Sequence, residues 1–216
     1  MLVWPSQQPV AASDERATAW CSSPHRQNES VTFRDYDAPS EGVVVERLRT
    51  EATNWINAVA LQSGRIDRRF RKEYPEQAEV QALEVDLHFF LVAVVRLRRC
   101  IERTANRVPG LGLTMSGRLR AFDGEVPSLL RLRNVSEHMD EYNLDEGRDV
   151  TVSRRQVQTW YLDKSSNDSA IWGWLGERLD IDQTETAALA LYRGFLSDCD
   201  AWIAARAEVE NNDSQG

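Results

Sequence analysis

Histidine is scarce in this chain: His25, His88 and His138 are the only three in 216 residues. No two stand at metal-ligand spacing, so neither a metal nor a cofactor is expected. Cysteine is equally rare. Cys21, Cys100 and Cys199 are odd in number and far apart, which argues against a disulfide framework and fits free thiols in a reducing compartment. A surplus of positive charge is also missing. Lys and Arg number 26 against 34 Asp and Glu, for a formal net charge of -8. Any contact with nucleic acid or an anionic membrane must therefore come from a local patch. The most apolar stretch, LHFFLVAVVRL, is too short to span a bilayer and runs into arginines. The start, MLVWPSQQPV, lacks the basic segment and apolar run of a signal peptide, so a cytoplasmic protein is expected. There is no Gly-rich phosphate loop, no CxxC, no GxSxG and no internal repeat.

What the chain does contain is helical periodicity. Hydrophobic residues make up 42%, enough for a core. Residues 1–40 read as irregular, with loop chemistry in QQPVAAS, SSPHRQNES and DAPSEG. From there the pattern predicts a helical bundle over 41–208, followed by a polar tail, 209–216. Val45, Leu48, Ala52, Ile56 and Val59 recur at three and four, and Gly64 is expected to end that helix. The next helix has Pro75 in its first turn, with Glu76 favoured there by the helix dipole, and reaches about Asn106; its all-apolar middle marks it as the central helix. A short helix near 115–122 precedes one starting at Pro127. VQTWYLD, AIWGWL and RLDID predict two or three short strands, a β insertion at about 150–181. DQTE has capping-box spacing ahead of a long final helix. The expected class is mainly α, a helical bundle with a small β-hairpin or three-strand insertion near the C-terminal third.

The polar run of LRLRNVSEHMDEYN, residues 130–143, holds the candidate site. On a helix, Leu129, Leu132, Val135, Met139 and Tyr142 form the core seam. Arg131, Asn134 and His138 follow one flank of it, and Arg133 and Glu137 the other, one turn apart. The structural explanation is an Arg133–Glu137 pair with His138 as a half-buried edge residue. Arg133 and His138 also point about 140° apart on an unbroken helix. They reach one phosphate only if the helix breaks or a second copy contributes.

An Arg, a polar Asn134 directly after it, and a His five residues on, late in a helical bundle, resemble the HEPN superfamily. Its members are small helical bundles, usually dimeric, and many are metal-independent ribonucleases in toxin–antitoxin and phage-defence systems. The resemblance covers residues 129–142 and the bundle over about 44–208. Family toxins often carry a Tyr two residues after the His; here that position is Asp140. The resemblance implies His138 as general acid or base, since imidazole titrates near neutral pH, and Arg133 as the phosphate-binding cation. It implies Asn134 as orienting His138 or a phosphate oxygen, Tyr142 as a second support of His138, RNA as substrate, a homodimer, and an antitoxin or other protein partner. The rival reading is a non-catalytic helical bundle that binds a partner or regulates it.

Other residues carry weaker signals. His88 has Glu84 one turn before it and Asp86 nearby, the mark of a structural, carboxylate-paired His. Cys100 among arginines is read as inert. RIDRRFRK (65–72) and the arginines of 96–107 are positive islands, expected as solvated faces, as RNA contacts, or as partners of the chain's own acids, such as those in 137–149. Trp172 and Trp174 alternate with Gly173, which places both on one strand face, packed on the bundle.

Overall fold

A computed structural model of the chain describes residues 2–5, 39–72, 76–165 and 168–213. It is mainly α. Helices α1 (Glu41–Phe70) and α2 (Gln77–Arg107) form a long antiparallel pair. Ser40 caps α1 through its side-chain oxygen, which accepts from the Val43 N–H at 3.5 Å. Glu76 caps α2 in a reciprocal box with Glu79. Pro75 lies outside the described residues. Gly64 does not end α1, which continues two turns further. Ser63 and Ile66 on either side of it are buried against the bundle, and that packing outweighs the ~1 kcal/mol a helical glycine costs.

A 3-10 turn at Pro109–Leu111 leads into α3 (Gly112–Glu125), longer than the periodicity indicated. Next come α4 (Leu129–Glu137), α5 (Met139–Asn143) and the short α6 (Arg154–Val157). The final helix, α7 (Ile181–Asp213), packs on α1 and α3. Its cap is Asp180, not Asp182: the Gln183 N–H donates to Asp180 Oδ1 at 3.0 Å, because the strand before it runs up to Asp180. Ile56 and Val59 of α1, Leu87, Phe90, Leu91 and Val94 of α2, Met115 and Phe122 of α3, and Phe195 of α7 share one core. Two bidentate pairs tie helices together at its edge. Arg98 grips Asp123 at 2.7 Å through both nitrogens, and Arg118 grips Asp198 at 2.6 and 2.8 Å.

Strands β2 (Thr159–Lys164), β3 (Ala170–Trp174) and β4 (Glu177–Asp180) form the antiparallel insertion. Leu175 and Gly176 turn β3 into β4 with φ of 57° and 79°, the two left-handed positions of a tight hairpin. Leu2–Pro5, β1, pairs antiparallel with β2, so the sheet has the order β1-β2-β3-β4. That corrects the irregular reading for these four residues, where Val and Trp favour a strand; residues 6–38 lie outside the described ones. Trp172 and Trp174 are buried and stacked, with centroids 5.2 Å apart and planes 8° from parallel. His88 of α2 stands edge-on to both, at 5.5 and 5.3 Å, so these rings dock the sheet on the central helix. Among the described residues no helix is long and apolar enough to cross a membrane.

Candidate functional site

The helix through the candidate motif is broken, and the break falls at His138. Leu129, Leu132 and Val135 are buried at helical spacing and hold α4 in the bundle. His138 then leaves helical geometry, with φ -117° and ψ 28°. Its N–H bonds back to Val135 O at 3.2 Å, and its carbonyl accepts from the Tyr142 N–H at 3.2 Å to start α5. One residue thus ends one helix and begins the next.

Arg131, Asn134, Val135, His138, Glu141, Tyr142, Arg148 and Asp149 line an open cleft of about 540 Å³ at this break. His138 Nδ1 lies 3.0 Å from Glu141 Oε1, which fixes the plane of the ring. Its other nitrogen has no hydrogen bond among the described residues. Tyr142 is buried beneath the cleft, and its hydroxyl accepts from the Asp149 N–H at 3.1 Å. Gly147 lies flat on the Tyr142 ring, where a Cβ would overlap ring carbons. Arg131 donates to Glu177 at 2.6 Å and to Asp149 at 3.4 Å. Donation to Glu177, then to Asp149, holds its guanidinium above its ordinary pKa. Hydrogen bonds from Thr151 and then Arg131 keep the Asp149 carboxyl below the usual range. Arg148 is exposed and makes no ion pair among the described residues.

The expected catalytic pair is therefore separated. Arg133 pairs with Glu137 on the opposite flank, and its Nη1 donates to Asn134 Oδ1 at 3.0 Å. Its Nε is buried without a partner. Asn134 Oδ1 accepts from Arg133 and the Tyr142 hydroxyl accepts from the Asp149 N–H, so neither side chain bonds the His138 ring among the described residues. The cleft arginines are Arg131 and Arg148. Arg131 was placed on the His138 flank by helical phase. Arg148 sits in a loop with no periodicity to reveal it.

No family model, no curated protein and no solved structure matches the chain.

The remaining candidates resolve physically. His88 bonds Ser136 Oγ at 2.7 Å, not a carboxylate, and burial pushes its pKa down to about 4. Asp86 instead pairs with Arg69 and Arg65 of α1. Burial pushes the Cys100 thiol up to about 12, with Glu51 adding to the shift, and burial does the same to Cys199. Neither is a nucleophile. The 65–72 island meets the chain's own acids, Asp67, Glu79, Asp86 and Asp168, rather than those of 137–149. In the second island Arg98 binds Asp123, while Arg96, Arg99, Arg103 and Arg107 make no ion pair among the described residues.

Proposed function

We propose that the cleft at His138 is a phosphodiester site and that the protein is a HEPN-like, metal-independent ribonuclease of a toxin or phage-defence kind. The observation that carries this reading is that an imidazole oriented by a carboxylate and an unpaired guanidinium line one cleft at a helix break. Arg131 is neutralised by Glu177 and Asp149, so the cation left for a phosphate is Arg148. In this scheme the free nitrogen of His138 takes the proton of the RNA 2′-hydroxyl. The 2′-oxygen bonds to phosphorus as the bond to the 5′-oxygen breaks, and water supplies the proton to the departing 5′-oxygen. The products are a 2′,3′-cyclic phosphate and a 5′-hydroxyl. Arg148 offsets the charge that develops on the phosphate. One protomer supplies both groups, so the homodimer expected from the diverging Arg133 and His138 is not required for them to meet.

Purified protein, incubated with a panel of single-stranded RNAs in a chelator, should cut RNA and spare DNA. His138→Ala should lower the rate ~10²–10⁴-fold, the usual worth of one acid–base group, and Arg148→Ala ~10²–10³-fold, that of one charge-stabilising donor, with helical circular dichroism unchanged. Arg133→Met should cut like the wild type. A wild type that cuts no RNA, or a His138→Ala variant of full activity, would refute the proposal. The partner-binding reading is favoured by a different observation, the exposed Phe89 and Val85 on α2.

A further inference from the structure

Among the described residues, one face of α2 is left exposed or half-exposed by the bundle. Val85, Phe89, Val92, Arg96, Arg99 and Arg103 follow one another at steps of four, three, four, three and four. That is the spacing by which a helix presents a continuous seam to a second helix. The seam runs from Val85 to Arg103, about 27 Å at the α-helical rise. Val85 is 51% and Phe89 57% exposed, where the core residues of α2 are almost fully enclosed. The first half of the seam is apolar and the second half is cationic.

Helix α1 runs beside this face and adds side chains at both ends, with Arg65 and Arg68 also standing at the apolar end. Its antiparallel register is set by Arg65, 3.7 Å from Asp86, and by Glu51 beside Cys100. Leu61, 51% exposed, thus stands at the apolar end of the face, and the exposed Arg47 at the cationic end. Arg47, Arg96, Arg99 and Arg103 make no ion pair among the described residues, in a chain of net charge -8.

We infer that this face is the docking site for an amphipathic helix of a partner protein, apolar along one half of its contact stripe and acidic along the other. Charge complementarity selects that occupant. A second copy fails in either orientation. Antiparallel pairing would press the guanidiniums of each copy onto the valines and phenylalanine of the other, and parallel pairing would press them on one another. Both bury cations without counter-charge. A nucleic-acid strand would neutralise the arginines but leave the valines in water. A helix with matching halves covers the whole seam and pairs every cation.

The test uses fluorescein-labelled synthetic helical peptides with leucine at the seam positions of one half and glutamate at those of the other, made in both orders. Fluorescence anisotropy against the full chain should show micromolar binding of one order. Phe89→Asp and Val85→Asp should each weaken it about tenfold or more, close to the loss of one hot-spot anchor. Arg99→Glu combined with Arg103→Glu should abolish it, and should bind instead a peptide with lysine in place of glutamate. Val85, Phe89 and Arg103 are exposed and Arg99 is half-buried, and an unchanged melting temperature verifies the fold. The inference is overturned if neither order binds, or if binding is indifferent to these substitutions. It is also overturned if a single-stranded oligouridine binds this face more tightly than either peptide, or if light scattering shows that the substitutions dissolve a wild-type dimer.

Discussion

Arg133 is catalytic by the family resemblance and a packed partner of Glu137 in the structure, and its replacement separates the two readings. Its side chain is 12% exposed, so the stem is packed while the guanidinium bonds Glu137 and Asn134 at the edge. Replacing it with Ala deletes two buried methylenes, worth about 1.6 kcal/mol at ~0.8 each. It also deletes an i,i+4 ion pair worth about 0.5 kcal/mol. Arg133→Ala should therefore cost about 2 kcal/mol. Arg133→Met keeps the stem and removes an Nε that is buried without a partner, so it should cost about 0.5 kcal/mol. At ~2–4 °C per kcal/mol for a chain of this size, the melting temperature should fall about 4–8 °C for Ala and about 1–2 °C for Met. Urea unfolding should show the same order with an unchanged slope. Equal losses in the two variants would refute the assignment of Arg133's role to its packed stem. A Met variant that folds like the wild type but no longer cuts RNA would refute the placement of Arg133 outside the site.

His88 supplies a pH dependence. Its pKa of about 4 in the fold, against 6.5 unfolded, means that the folded state holds it neutral. Its contribution is complete above pH 6.5 and is lost as pH falls towards 4, where the unfolded chain takes up a proton the folded chain refuses; the gap is worth about 3 kcal/mol. The wild type should lose that much relative to His88→Gln between pH 7 and 4 in urea unfolding, and parallel curves would refute the burial of a neutral imidazole. Gly147→Ala should cost ~1–3 kcal/mol, because its Cβ must displace the Tyr142 ring or the 145–149 loop; wild-type stability would show that the loop yields freely.

Helices and strands were legible because their signals are local. Leu129, Leu132 and Val135 announce α4 by spacing alone, and the alternation in AIWGWL announces β3. The flank assignment also held: Arg133 pairs with Glu137, and Arg131, Asn134 and His138 line the same cleft. The break at His138 was not legible, since Ser136, Glu137, Met139 and Glu141 are ordinary helix residues. It accompanies the docking of Tyr142 on the Asp149 backbone and Gly147, contacts that no helical period encodes. His88 misled for a similar reason. Its sequence neighbours Glu84 and Asp86 are carboxylates, but its partners come from Ser136, Trp172 and Trp174, 48 or more residues away. Gly64 was read by type alone, whereas burial of the residues around it carries α1 onward.

The hydrogen bond from Arg131 to Glu177 also fixes an order of events. Arg131 belongs to α4, while Glu177 opens the last strand, 46 residues later. During synthesis α1 and α2 can pair early, since their contacts lie within one hairpin of chain. The full set of Arg131 partners cannot be assembled then. Arg131 has no Glu177 to hold it until β4 has emerged, and β4 is held only once the stacked tryptophans have closed the 84-residue interval back to His88. The ion pair that neutralises Arg131 beside His138 is therefore absent from the nascent chain until that closure.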